Sequence, residues 1–367
     1  MSFGKTIRQL RHGRDMTQEQ LAEFLAVSPQ AVSRWETDAA MPDISLIAPI
    51  CNLFHVTADT LLEIDASRRQ EQINAICGEA SRRSGRGYLD EARKILEDGL
   101  RRYPNSPDIV KKLMYIAFCQ YNASPAEQKQ PYLDEAIRLG ERILANSTDD
   151  SMRQSAIQIL CFSYRDAGQV DKAVKLANTM PHISQSQEML LASIQRGDDG
   201  YRAKQSQAFN LLQFLSNGLD FMQTTLDAGQ NAYSEAECAA LRDKRIALLH
   251  LFFENGDFGF YHTHLCDTHS RQADYYAKTG DSERTLAHLR AAAEHAIRFI
   301  TSYEEEQTSL VFRGMKPGSW STDTTENDAA RLLRHMESGA FDFVRGSEAF
   351  GEIAARLSEY AGEWRIS

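Results

Sequence analysis

The sequence lacks any run of eighteen apolar residues, any CxxC pair and any sustained alternation of apolar and polar residues. The first absence leaves no helix long enough to cross a bilayer, and Met1–Arg14 is charged rather than an apolar leader; a cytoplasmic protein with no membrane partner is expected. The second leaves six dispersed cysteines, Cys51, Cys77, Cys119, Cys161, Cys238 and Cys266. They read as reduced, buried thiols rather than a disulfide framework or a zinc knuckle. The third removes strands, so the fold class is all-α. Phosphate-cradling glycine loops, HExxH and GxSxG are missing as well, so neither an enzyme nor a cofactor is expected. Nor is there a basic excess: 41 Lys and Arg stand against 51 Asp and Glu, a formal charge of −10. That balance argues at first sight against a polyanionic partner, but such a partner responds to the local face presented to it.

What is present is helical periodicity over the full 367 residues, enough chain for two or three domains. The most informative stretch is Thr17–Glu36. Leu21, Ala22, Leu25, Val27, Val32 and Trp35 recur there at helical spacing. Thr17 with Gln20 three residues later forms a capping box, which starts one helix. Ser28 followed by Pro29 is an N-cap with proline at the first helical position, which starts a second. Two helices joined by so short a turn make a helix-turn-helix. Around them, Gly4–His12 reads as a helix with Ile7 and Leu10 inward and Lys5, Arg8, Arg11 and Arg14 outward. Asp43–Phe54 carries Ile44, Leu46, Ile47 and Ile50 on one stripe, and Thr57–Ile64 is a short capped helix.

Five helices in this order, with Ile7-Arg8-x-Leu10-Arg11, Thr17-Gln18-x-x-Leu21-Ala22, Val27-Ser28-x-x-x-Val32-Ser33-x-Trp35-Glu36 and Pro42-x-x-x-Leu46, resemble the phage-repressor-like, xenobiotic-response-element family of DNA-binding domains. The turn Thr37-Asp38 departs from the Asn-Gly pair usual in that family. The resemblance covers residues 4–62 and implies a partner, double-stranded operator DNA. A helix laid in the major groove needs outward residues able to meet base edges, and Gln30, Ala31, Ser33 and Arg34 face away from Val32 and Trp35. Glutamine pairs with adenine, arginine with guanine, and alanine's methyl packs on thymine. Gln18 is placed to hold a phosphate at a helix N-terminus, and Ser28, the cap of the second helix, belongs to the same DNA-facing set. Within residues 1–65 only five bases stand against nine acids, a net of −4. So few phosphate contacts predict weak binding by one copy, and therefore a homodimer on a two-fold-related site.

Beyond a polar link at Asp65–Gln70, helical segments alternate with turns at Gly85-Arg86-Gly87, Pro104–Pro107, Ala167-Gly168, Gly197–Gly200, Asn255–Gly259 and Gly280-Asp281. Leu89-Asp90-Glu91-Ala92 recurs as Leu133-Asp134-Glu135-Ala136 and, loosely, as Val170-Asp171-Lys172-Ala173, at offsets of 44 and 37. Tyr164, Gly168, Ala173 and Ala177 repeat the small-residue spacing of a tetratricopeptide hairpin, as do Ala92, Leu96, Gly99 and Pro104. These resemble degenerate tetratricopeptide repeats without the signature tryptophan. The expected organisation is a DNA-binding domain over 1–65, an α-solenoid of helical hairpins over 66–300, and a helical cap over 301–367 containing the loop Gly314–Asn327. Tyr201–Asp227, with Phe209, Leu212, Leu215, Leu219 and Phe221, reads as repeat core, with a dimer interface as the other reading.

Repressor-type domains joined to such arrays resemble the peptide-responsive regulators of Gram-positive bacteria, which implies a signalling peptide or protein in the repeat groove. Two other readings stand beside this one. A pure interaction scaffold would use the repeats alone. A metal-dependent sensor would use His262, Cys266 and His269, which lie at i, i+4 and i+7 on one helical face near His288 and His295; packing within a repeat explains the same residues, and no metal is expected.

Overall fold

A computed structural model describes residues 3–62, 66–223, 231–316 and 320–364. Among them are nineteen α-helices, three short 3-10 turns and two isolated β-bridges, so the fold is all-α. The chain divides into two compact units, Met1–Gly78 and Glu79–Ser367.

The first unit contains α1 (Phe3–His12), α2 (Gln18–Phe24), α3 (Pro29–Glu36), α4 (Ile44–Phe54) and α5 (Ala58–Leu61). Its core gathers Ile7, Leu21, Ala22, Leu25, Val32, Trp35, Ile50, Phe54 and Leu61, one or more from every helix. The expected stripe on α4 is corrected at its first position: Ile44 is 87% exposed, because Asp43 caps the helix there and the buried face begins at Leu46. Thr57 caps α5 as expected, by accepting from the Thr60 amide at 3.1 Å; Glu63 and Ile64 lie outside the described residues. The polar link is corrected too. α6 (Ala66–Ser84) starts where a linker was expected and runs across the division between the units, while Asp65 lies outside the described residues.

The second unit continues with α7 (Leu89–Arg102), α8 (Pro107–Ala123), α9 (Gln130–Asn146), α10 (Asp150–Asp166) and α11 (Val170–Ala177), each lying against the next. A second run comprises α12 (Gln187–Ile194), α13 (Gly197–Phe221), α14 (Glu235–Phe252), α15 (Tyr261–Lys278) and α16 (Ser282–Ser302). These are stacked helical hairpins, and small residues set how closely they approach. A Cβ added to Gly140 of α9 would stand 2.6 Å from Leu160 Cγ of α10, so glycine there makes room for the Leu160 side chain between the two helices. Starts are fixed locally: Ser106 before Pro107, Ser234 with Glu237 in a capping box, and Asp281 each accept a first-turn amide.

α17 (Asp328–Met336), α18 (Asp342–Arg345) and α19 (Glu348–Ser358) pack on α15 and α16 through Leu332, Met336, Phe341, Phe350, Ile353 and Leu357. These three helices share one core with α15 and α16. The segments on either side of them return to the α6–α7 turn. Thr322 donates its amide to Gly85 O at 3.2 Å, the Tyr88 hydroxyl donates to Glu363 Oε2 at 3.2 Å, and the Arg86 guanidinium lies 3.9 Å over the Trp320 indole. Gly87, at φ +81°, sits so near this strap that a Cβ would fall 2.2 Å from the Thr324 carbonyl carbon. One expectation fails within α13. Leu212 is buried, but Leu211, Phe214, Leu215 and Phe221 are exposed, so the stretch is only partly core; its tail, residues 224–227, lies outside the described residues.

Candidate nucleic-acid interface

Local sequence explains how α2 and α3 are set. The Gln20 amide donates to Thr17 Oγ1 at 3.2 Å while the Thr17 amide donates to Gln20 Oε1 at 2.8 Å, closing the capping box. The Ala31 amide donates to Ser28 Oγ at 3.2 Å, and Pro29 at the first position needs no partner for an amide it lacks. Between them Ala26 takes a left-handed conformation, φ +54°, which lets the Val27 amide reach Ala22 O at 2.9 Å. Alanine is strained there, and nothing in its residue type announces the turn.

Burial of Val32 and Trp35 against Leu21, Ala22 and Leu25 decides which side of α3 is left. Gln30 and Arg34 are exposed, Ala31 and Ser33 half-buried, and Ser28 is exposed at the helix start. The acids nearest in sequence to Arg34 are engaged elsewhere: Asp38 Oδ1 accepts from the Gly4 amide at 2.8 Å, and Glu36 is held from α1 and α2. Among the described residues no ion pair involves Arg34. Gln18 is half-buried, and its Nε2 donates to Glu36 Oε2 at 2.7 Å, which fixes its amide at the start of α2.

Arg11 corrects the reading of α1. It was expected to face outward but is 6% exposed, with Nε 2.5 Å from Glu36 Oε1, Nη2 donating to Oε2 at 3.0 Å and Nη1 to Met16 O at 2.6 Å. The signal lay in the spacing, since Arg11 follows Ile7 by four residues and shares its buried face. Burial pushes the Glu36 carboxyl up, but the hydrogen bonds from Arg11 and Gln18 outweigh that and hold it below the ordinary range. The result is a two-oxygen clamp joining the ends of α1 and α3 to the start of α2. It also removes one cation from the surface. Within residues 3–62, Lys5, Arg8, Arg14 and Arg34 are the exposed bases.

His262, Cys266 and His269 all lie on α15 but are not brought together. His262 Nδ1 lies 2.9 Å from His295 Nδ1, and His269 Nδ1 lies 2.9 Å from His288 Nδ1, pairing α15 with α16. The His269 and His295 rings stack at 5.7 Å and link the two pairs. Cys266 turns into the apolar core with Leu289 and Ala293, and burial pushes its thiol far above the ordinary value. Burial pushes the imidazoles down, to about 4 for His262 and His269 and about 2 for His295. Among the described residues no group of three His, Cys, Asp or Glu is placed to hold a metal ion.

With that geometry in view, residues 2–64 match the helix-turn-helix domain family, and this segment is a helix-turn-helix domain. Its similar proteins include the HTH-type transcriptional activator BcrR of Enterococcus faecalis, 45% identical over 62 residues, which are 17% of this chain and 30% of BcrR. The HTH-type transcriptional regulator ImmR of Bacillus subtilis (strain 168) is 30% identical over 83 residues, 22% of this chain and 65% of ImmR. The chain thus spans less than two thirds of either relative. Among solved structures, Bacillus thuringiensis PlcR in complex with the peptide PapR7 and DNA is 14% identical at a TM-score of 0.31, over 80% of this chain and 94% of that one. The apo competence regulator ComR from Streptococcus vestibularis is 12% identical at 0.25, over 80% and 91%.

Proposed function

We propose that this protein is a cytoplasmic, sequence-specific DNA-binding transcriptional regulator, not an enzyme, whose helical-repeat region mediates homodimerisation and binds a peptide or protein effector. The observation that carries the DNA-reading part is the outward face of α3: Gln30 and Arg34 exposed, on a helix fixed by an intact cap and core. Relatives with regulator names that share this domain agree with it. Gln30 and Arg34 read bases, Ala31 and Ser33 flank them, Ser28 presents the helix start and Gln18 holds a backbone phosphate. The domains are 1–65 for DNA, 66–300 for the repeats and 301–367 for the cap.

Only four exposed bases remain within residues 3–62, so a single copy neutralises few phosphates and two copies are needed for firm binding. Exposed Leu190, Ile194, Phe214 and Leu215 on α12 and α13 supply an apolar surface suited to a second copy. Helical-hairpin arrays present extended surfaces for a chain-like effector.

The test is selection of bound fragments from the native genome, followed by footprinting with variants. Arg34→Ala and Gln30→Ala are each expected to cost about 1–3 kcal/mol of specific binding with the melting transition unchanged. Retained footprints in both variants would sink the assignment.

A further inference from the structure

One side of α13 is apolar and faces solvent. Leu211, Phe214, Leu215, Phe221 and Met222 are all exposed, from 42% at Leu211 to 74% at Phe221. With Gly218 they fall at i, i+3, i+4, i+7, i+10 and i+11, which sets them along one face of the helix, while Leu212 and Ser216 turn inward. α12, packed beside α13, extends the surface with exposed Leu190 and Ile194. The face is also uncharged: from Gln205 to Leu219 there is no Asp, Glu, Lys or Arg, in a chain that is 25% charged. A solvated helix face normally carries charge, whereas the centre of a protein interface is depleted of it.

Two hollows adjoin this ridge. The first is a depression of about 330 Å³ bounded by Pro181, Ile183 and Met189 on one side and by Gln207, Asn210 and Phe214 of α13 on the other. The second is at Gly218, where an added Cβ would meet nothing within 4 Å among the described residues. Gly218 has no left-handed φ either, so neither a close approach nor a turn within the described chain calls for glycine there, although glycine weakens a helix interior.

Ridge and hollows match each other under a two-fold axis. When two copies of α13 lie antiparallel with the axis between Phe214 and Leu215, both residues meet their own copies across it. Leu211 then stands opposite the partner's Gly218, and the partner's Phe221 falls between Gln207 and Asn210, over the depression. A two-fold contact brings each residue near the axis close to its own copy, so a charge there would repel itself; this stretch of α13 has none. A peptide or small ligand could fill the depression, but it would not need an uncharged ridge running on to Met222.

We propose that this face joins two copies of the chain as an antiparallel α13–α13 pair, with the partner's Phe221 in the depression and the partner's Leu211 in the gap at Gly218. The assignment rests on reading the helical region as the mediator of homodimerisation, and adds the surface, the orientation and the residue pairing.

The test is sedimentation equilibrium of the full chain without DNA. The unmodified protein is expected to be a dimer at micromolar concentration. Phe214→Asp is expected to raise the dissociation constant about a hundredfold or more, and Phe221→Asp about tenfold or more. Gly218→Leu puts a side chain where the partner's Leu211 sits and is expected to cost about tenfold as well. Combining it with Leu211→Ala exchanges knob and hollow, and the double variant is expected to recover most of that loss. Gly218→Leu favours the helix and enters open space, so it reads association rather than folding. Failure of the double variant to recover overturns the pairing. A dimer unmoved by Phe214→Asp and Gly218→Leu overturns this interface while leaving dimerisation through another part of the helical region standing. A monomeric unmodified protein at high micromolar concentration overturns both, and leaves DNA reading by Gln30 and Arg34 to the footprinting test.

Discussion

The helix-turn-helix unit and the α15–α16 hairpin bury titratable side chains by opposite means. In the first, Arg11 and Glu36 enter the interior charged, each answering the other, with Gln18 completing the carboxylate's bonds. In the second, four imidazoles enter in pairs, and burial keeps them neutral: in each pair one ring nitrogen donates and the other accepts. A charged pair fixes the register of three helices but fails badly if halved. Neutral pairs cost less to bury, yet acid works against them sooner.

Removing half of the charged pair is the harshest way to break this contrast. Glu36→Ala leaves Arg11 buried and unanswered, and about 3–5 kcal/mol of first-unit stability is expected to be lost. Hydrogen exchange would show α1–α3 deprotected and α15–α16 unchanged; equal protection everywhere would mean the clamp contributes little.

Acid gives the next effect and separates the regions by pH. The histidines' folded values lie below their unfolded 6.5, so the unfolded chain binds more protons between 6.5 and about 4. Their stabilisation is complete above 6.5 and is lost as pH falls, at up to about 1.4 kcal/mol per pH unit for each imidazole kept neutral. Glu36 is also depressed, but from 4.5, so its contribution survives until the carboxylate range itself is reached. At pH 5, α15–α16 amides are therefore expected to exchange faster than at pH 7 while those of α1–α3 do not. Replacing His262 and His295 together with phenylalanine removes their share of this pH dependence.

The smallest effect sharpens how the first unit is built. Ala26→Gly relieves the left-handed strain in the helix-turn-helix turn and is expected to stabilise that unit by up to about 1 kcal/mol, read as a raised melting temperature. A fall instead would mean that the turn is held by the methyl group rather than strained by it.

What could be read from the sequence was local. Thr17 with Gln20 and Ser28 with Pro29 carry their meaning within four residues, and both caps stand where that spacing put them. The caps at Ser234, Asp281 and Ser347 are equally local in the structure, though the sequence reading did not name them. Arg11 was misread because its partner lies 25 residues on, and a basic residue on an amphipathic helix defaults to the solvent side. Ile44 was misread because apolar type alone does not separate a helix's cap edge from its buried face. His262, Cys266 and His269 share a helical face, but their fates depend on α16 and on the core beyond it. Gln30 and Arg34 were legible as an outward face because the inward positions around them are unambiguous.

The strap of Trp320–Thr324 and Glu363–Trp364 on Gly85–Tyr88 changes how the second unit can come apart. A linear repeat array frays from either end, each outer hairpin leaving at the expense of one interface. Here the opening turn is tied to segments more than 230 residues later, so neither end can peel away without releasing the other. The array behaves as a closed hoop whose first rupture opens a very large loop, and its loss of structure is cooperative where that of an open stack would be gradual.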